Sequence, residues 1–356
     1  FQSKSKKFDY VLGFSVDPSS HHSKVNLGDS IIEDLKQNVV NFSPNIHLSY
    51  SPTSSTNFDF DYSGSTSQPG ISQLSTDTVI VNALTKYYGN PDLKPSYENN
   101  INMYYQKSDY EKGRFLMISG GFRYTLNNIV NYTLIDDKGN SVHTYRNVNG
   151  NMSSSLGIMY NTPLKGKKFI INTNTFANYT KNVGFTNSEK TITNNIALSQ
   201  YLSGRFSIEK FETGLALNFS HNITRNNLSG SQDRNTTNYG FKHNMQVKLP
   251  FDISIHNNIE HSRYAGYGED FKKSETLWNA SIAKLFLKQK KGTLRLQFFD
   301  ILNDRNNLTR TVNNDGTSEV RTNSINRYVL FSFSYRFNII KSGGNKEQQD
   351  NYGGEF

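Results

Sequence analysis

Residues 325–337 read Ile-Asn-Arg-Tyr-Val-Leu-Phe-Ser-Phe-Ser-Tyr-Arg-Phe. In an extended chain Ile325, Arg327, Val329, Phe331, Phe333, Tyr335 and Phe337 point one way, and Asn326, Tyr328, Leu330, Ser332, Ser334 and Arg336 the other, because strand side chains alternate with period two. Only one of these faces is oily. In a soluble sandwich the oily face meets a second sheet, whereas in a transmembrane barrel it meets lipid and the polar face lines a wet lumen.

The same alternation recurs upstream. It predicts strands near Phe8 to Val16, Phe42 to Tyr50, Thr56 to Tyr62, Tyr97 to Gln106, Arg114 to Leu126, Met152 to Tyr160, Lys168 to Tyr179 and Thr191 to Leu202. It continues near Phe211 to Asn222, Asn238 to Leu249, Asp252 to Tyr264, Thr276 to Leu287, Thr293 to Leu302 and Ile325 to Phe337. Aromatic and β-branched residues on alternate positions carry most of these assignments. The gaps sort themselves. Ser51 to Ser55, Lys107 to Gly113, Asn161 to Lys167, Ser203 to Lys210, Pro250 with Phe251, and Lys288 to Gly292 are brief and turn-like. Between them lie longer gaps: Asp17 to Asn41, Ser63 to Ser96, Asn127 to Asn151, Thr180 to Lys190, Ile223 to Thr237, Ala265 to Glu275 and Asn303 to Ser324. A meander with every short turn at one end and every long loop at the other is the arrangement of bacterial barrels, with long loops outside the cell and short turns in the periplasm. Greek-key sandwiches give no reason for such sorting.

Composition agrees. Of 356 residues 35% are hydrophobic and mean hydropathy is −0.65, a polar average expected where half of each strand and all the loops face water. No run of roughly eighteen apolar residues exists, so no helix is expected to cross a membrane. The richest helix-like stretch, Ser30 to Val40, is short. The 21 Tyr and 24 Phe, against one Trp, supply interfacial aromatic belts. Cysteine is absent, which removes disulfides, thiolate metal sites and cysteine nucleophiles. The net charge of +9 is spread along the chain, and its one tight run, Lys288-Gln289-Lys290-Lys291, occupies a turn; nucleic acid is not an expected partner. Phe1 to Tyr10 has no apolar signal core, and the chain starts almost directly on a strand, so it is read as a piece of a longer protein.

One segment is more specific than periodicity. Tyr87-Tyr88-Gly89-Asn90-Pro91-Asp92-Leu93-Lys94-Pro95 runs straight into the strand at Tyr97, with a glycine turn, an Asn-Pro turn start and a second proline that keeps the chain extended. It resembles the G-N-P-x-L-K-P signature of TonB-dependent outer-membrane receptors. Phe42-Ser43-Pro44-Asn45-Ile46-His47-Leu48-Ser49-Tyr50 is similar to the family's F-P-S-x-x-L-x-Y strand, and Leu296-Gln297-Phe298-Phe299-Asp300-Ile301-Leu302-Asn303 to its near-terminal D-I-F-N element. Within that superfamily Trp278-Asn279-Ala280-Ser281-Ile282-Ala283-Lys284 and the Asn and Ser richness resemble the Bacteroidetes barrel branch related to SusC-like nutrient transporters.

The resemblance implies an all-β antiparallel transmembrane barrel of about 22 strands, of which residues 1–337 supply about fourteen. It further implies an N-terminal plug and further strands outside this chain, coupling to TonB through that plug, outer-membrane lipid around the barrel, and a surface lipoprotein as a partner of the outer face. Phe337 stands where the terminal aromatic recognised during barrel assembly is expected, with Phe356 as the alternative, and Asn338 to Phe356, rich in Gly, Lys, Glu and Gln, reads as a flexible periplasmic tail.

No catalytic constellation emerges. The eight histidines lack H-E-x-x-H spacing, and only His21-His22, in a predicted loop, is a candidate for a metal. Asp136-Asp137-Lys138-Gly139-Asn140 and Asn313-Asn314-Asp315-Gly316 read as hairpin turns rather than calcium loops, since they lack the ligand spacing of an EF-hand. The expectation is therefore a transporter without cofactor or resident metal. Its ligand contacts would come from the Ser63 to Ser96 and Asn127 to Asn151 loops through Tyr87, Tyr88, Tyr132, Tyr145 and Arg146, with packing within the loops or assembly against a partner as the alternative role. Arg123, Arg295 and Arg336 are expected to face the lumen, because arginine on a lipid face near midplane costs roughly 2–4 kcal/mol. Rival readings are a complete fourteen-strand passive channel and a soluble β-rich adhesin.

Overall fold

A computed structural model describes residues 1–27, 30–82, 84–135, 138, 140–164, 166, 168–186, 189–228, 233–313 and 316–337. All fourteen expected strands form. They are β1 (Phe8–Leu27), β2 (Ser30–Thr53), β3 (Thr56–Ser67), β4 (Ser96–Asp109), β5 (Arg114–Leu126), β6 (Asn151–Leu164), β7 (Phe169–Thr186), β8 (Glu189–Ile208), β9 (Phe211–Asn226), β10 (Arg234–Leu249), β11 (Ile253–Ala265), β12 (Ser274–Phe286), β13 (Gly292–Phe299) and β14 (Tyr328–Tyr335). Each pairs antiparallel with the next, so the sheet is an uninterrupted meander. It remains open. Among the described residues the free side of β1 carries only the short strand Gln2–Lys4, paired with Asp9 to Val11, and β14 pairs with β13 alone.

The register sorts the two faces. Tyr10 stands opposite Leu48, Leu48 opposite Phe60, Phe60 opposite Met103, and farther along Leu202 opposite Leu217 and Leu217 opposite Phe241. The band continues through Ile282, Leu296 and Phe331. A one-residue slip in any ladder would send that strand's oily residues to the polar side, so one continuous apolar band fixes every register together. The opposite face carries rows such as Asn45, Ser63, Asn100, Arg123 and Ser153.

Among the described residues nothing packs on the apolar face: Phe14 is 68% exposed and Phe331 66%. Among the described residues the buried apolar side chains are Leu74, Leu93, Val148, Val183, Phe271 and Ala283. All but Ala283 lie in the long connections or at the strand ends beside them. A sandwich would hide its oily faces between two layers. This sheet leaves them bare, which is the surface a barrel turns to lipid.

Several connections are more ordered than the loops the sequence suggests. Asp17 to Asn41 is no loop, because β1 and β2 remain paired as far as Leu27 opposite Ser30. The helix-like Ser30 to Val40 stretch is thus strand. Beyond the apolar band a ladder needs only its backbone hydrogen bonds, so apolar alternation stops marking the strand before the strand ends. Thr180 to Lys190 likewise continues the β7–β8 ladder to Thr186 opposite Glu189. Other long connections fold into Asn128–Ile135 with Ser141–Val148 and Leu308–Asn313 with Gly316–Arg321. The short turns are sharp: Phe251 and Asp252 have φ of 64° and 58°, and Gln289 and Lys290 have 59° and 55°. Paired left-handed residues match the twist of the strands they join. The expected tail from Asn338 to Phe356 and the turn residues Asp136, Asp137, Gly139, Asn314 and Asp315 lie outside the described residues.

Candidate ligand-binding layer at the long-loop end

The chain between β3 and β4 and the hairpin between β5 and β6 build one layer. A helical turn, Ile71–Leu74, leads to strands Val79–Asn82 and Thr85–Tyr87, and the latter runs parallel to Ser141–His143 of the hairpin. The Gly89 to Pro95 segment locks the two loops together. Gly89 and Asn90 donate their backbone N–H groups to the carbonyls of Ser75 and Gln73, both at 2.6 Å. The Asn90 side chain accepts from the Asp92 N–H at 3.0 Å and donates to the Tyr145 carbonyl at 3.0 Å. Asn147 completes the clamp, accepting from the Lys94 N–H at 2.7 Å and donating to the Lys94 carbonyl at 2.8 Å. Under these bonds Leu93, Leu74 and Val148 are buried.

Of the five predicted contact residues, the structure gathers Tyr87, Tyr88 and Tyr145 on the motif's side. The Tyr87 ring stacks on His143, centroids 4.5 Å apart and planes 15° from parallel; the Tyr88 N–H donates to the His143 carbonyl at 3.1 Å. Tyr132 and Arg146 occupy the other hairpin face, since Tyr132 stands opposite Thr144 and Arg146 opposite Val130, one residue out of phase with His143 and Tyr145. There the Arg146 guanidinium lies 4.5 Å over the Tyr132 ring and 5.6 Å from that of Phe185. A ring stacked on imidazole and an arginine over aromatics supply flat apolar contact beside charged donors. His143, which joins the first group, carries no motif in the sequence. Its role comes from a parallel pairing between distant loops.

A second cluster lies between the loop after β11 and the hairpin between β13 and β14. Buried Arg310 forks onto Asp270, donating at 2.8 and 2.7 Å, and donates to the Tyr267 carbonyl at 2.6 Å and to Glu319 at 2.7 Å. Its guanidinium lies 5.3 Å over the ring of Phe271. Arg310 holds the Asp270 carboxyl well below the usual range, to about 2. Asp300, fully buried, accepts from the Asp304 and Arg305 N–H groups at 3.0 and 3.3 Å. Asp304 in turn accepts from Lys272 at 2.8 Å and from the Thr276 N–H at 2.7 Å, and Lys272 lowers its pKa. Neither Asp270 nor Arg310 carries a sequence signal.

On the polar sheet face Arg123 donates to Asn100 at 2.8 Å and lies 3.5 Å from Glu98, while His47 and Asp61 are in contact at 2.6 Å. Arg295 shares that face, opposite Ser332, and Arg336 falls in the same phase beyond β14. Of the two candidate metal-binding histidines, His22 is paired with Asp34 at 2.5 Å, and among the described residues no group of three potential metal ligands forms. Phe337 is exposed, its ring 4.5 Å from that of Tyr335.

Residues 1–335 match the model of the outer membrane protein beta-barrel family. The chain belongs to that family. The match spans all fourteen strands, so this outer-membrane barrel protein turns its apolar band to lipid and its Asn- and Ser-rich face to the lumen. No curated protein matches it.

Proposed function

We propose that this protein is a TonB-dependent receptor of SusC-like type that imports a nutrient, and that the chain supplies fourteen strands of a larger barrel. In this reading the long loops face the outside of the cell, and the short turns and the segment beyond Phe337 the periplasm. The observation that carries it is the Gly89 to Pro95 clamp, which ties two long loops into one rigid layer above the lumen, as capture of a ligand requires. The open sheet supports the same reading. Edge strands facing lipid leave backbone groups unsatisfied at several kcal/mol each, and about eight further strands would pair both edges and make room for a plug. Tyr87 with His143, and Arg146 with Tyr132, suit a sugar or peptide. The lumen holds the captured ligand, plug movement driven through TonB opens the path, and a surface lipoprotein covers the layer from outside.

The test uses the intact protein in its own host. Growth on single glycans and peptides identifies the compound whose use requires the gene; uptake of its labelled form is then measured with and without TonB. Uptake is expected to vanish without TonB, and to fall in Tyr87→Ala and Arg146→Ala variants while assembled protein remains constant. Undiminished uptake without TonB would overturn the proposal in favour of a passive channel.

A further inference from the structure

One face of the long-loop hairpin carries a single sign of charge. Tyr132, opposite Thr144, is also the parallel partner of Phe185 on β7, and Phe185 stands opposite Lys190 on β8. Partners in a ladder share a face, so Thr144, Tyr132, Phe185 and Lys190 form one row across four strands, with Arg146 two residues beyond Thr144 on the same side. Lys86, the partner of Val142, falls there too. No acid joins them. Strands Thr85–Tyr87, Asn128–Ile135, Ser141–Val148 and β7 contain neither Asp nor Glu, and Glu189, the one acid of β8, pairs with Thr186 and falls on the opposite face.

Arg146 is oriented but unpaired. Arg205, Arg225 and Arg310 are matched with Glu212, Asp233 and Asp270, whereas exposed Arg146 has no ion pair or side-chain hydrogen bond among the described residues. The strand ends at the hairpin turn, Ile135 and Ser141, are five residues along from it, about 17 Å. What holds the guanidinium is ring contact: the Tyr132 and Phe185 rings meet edge to face at 5.5 Å, and it lies against both. Cation–π attraction consumes no N–H donor, so the fork stays available to an oxyanion. Thr144, 8% exposed, also keeps a hydroxyl with no partner among the described residues, a polar group that the protein alone leaves unsatisfied.

The ladders also restrict the occupant. An extended peptide is held by adding to a free strand edge, and neither hairpin edge is free here: Asn128–Ile135 lies between Ser141–Val148 and β7, and Ser141–Val148 between Asn128–Ile135 and Thr85–Tyr87. A sugar needs no edge, because its C–H face lies on an aromatic ring while its polar groups take the few donors beside it.

We propose that the nutrient captured at this layer is an acidic oligosaccharide, with a carboxylate or sulfate on the Arg146 fork, a sugar ring against Phe185, and Lys190 as the second cation. The proposal rests on the reading above that the long-loop layer captures the imported nutrient.

The experiment is isothermal titration calorimetry of the full-length protein in detergent. The probes are pectin-derived uronate oligosaccharides and carrageenan-derived sulfated ones, each beside its carboxyl-reduced or desulfated form, and tetraglutamate. One acidic set is expected to bind, and its neutral form about ten- to a hundredfold more weakly, the worth of charge-assisted hydrogen bonds. Which set binds separates carboxylate from sulfate. Arg146→Gln is expected to lose the same factor and to bind acidic and neutral forms alike, a loss of discrimination that mere loosening of the loop would not produce; Arg146→Lys, which keeps the charge without the fork, should recover part of it. Heat-dependent gel mobility verifies that each variant is folded. Neutral forms bound as tightly as acidic ones, unchanged discrimination in Arg146→Gln, tightest binding of tetraglutamate, or binding of no probe would overturn the proposal. Since binding is read without TonB and uptake with it, failure here is distinct from failure of the import reading.

Discussion

Gly89 is the residue on which the loop layer turns. A β-carbon there would fall 2.5 Å from the Ser75 carbonyl oxygen and 2.6 Å from that of Gln73, both backbone atoms that cannot swing aside. Gly89→Ala is expected to cost about 1–3 kcal/mol of local stability, as overpacking does, and to show as faster protease cleavage within residues 68–95 while the strands stay intact; unchanged cleavage would mean that the clamp is not what orders the loop. The sequence made part of this legible. Gly-Asn-Pro announces a turn and Pro95 an extended entry into β4, both being local backbone chemistry. The partners were not legible: Asn90 reaches Tyr145, and Asn147 reaches Lys94, across more than fifty residues, and in a chain so rich in asparagine nothing marks those two. The five predicted contact residues divide between two hairpin faces for a similar reason, since composition singled them out and register places them.

The strands were legible because lipid and water write an alternating pattern on them; the long connections were not, because beyond the membrane a ladder needs no oily face. Hence β1 and β2 run on through a predicted loop. The Arg310 cluster is the element-scale counterpart, a loop and a hairpin held by charge with a single buried ring beneath. Asp270 titrates near 2 in this cluster against about 4 when unpaired, so its contribution is complete above pH 4 and is lost as pH falls from about 4 to about 2. Pepsin digestion across that range should leave residues 266–273 protected near pH 4 and cut near pH 2, while Asp270→Asn should already be cut at pH 4. If the native loop and the variant are cut alike at every pH, the guanidinium fork is not what closes the loop.

At the scale of the molecule the decisive feature is that, among the described residues, no second layer covers the apolar face of the sheet. The soluble adhesin reading fails here, because it needs a second layer over Phe14, Leu217 and Phe331, and these residues stand bare. Their environment has to be supplied by hydrocarbon, and that makes neighbouring positions of a strand opposite in kind. Leu217 lies between Leu202 and Phe241 in the apolar band, whereas Asn218 stands opposite Gly240 on the lumen side. Leu217→Arg must bring a guanidinium into lipid near midplane, at roughly 2–4 kcal/mol, while Asn218→Arg extends into a wet lumen already holding Arg123 and Arg295 and should be close to neutral. Urea unfolding of the full-length protein reconstituted in vesicles measures both. A large loss for Leu217→Arg alone is the expected result, and equal losses would mean that the two faces do not meet different solvents, against the lipid-facing assignment of the band.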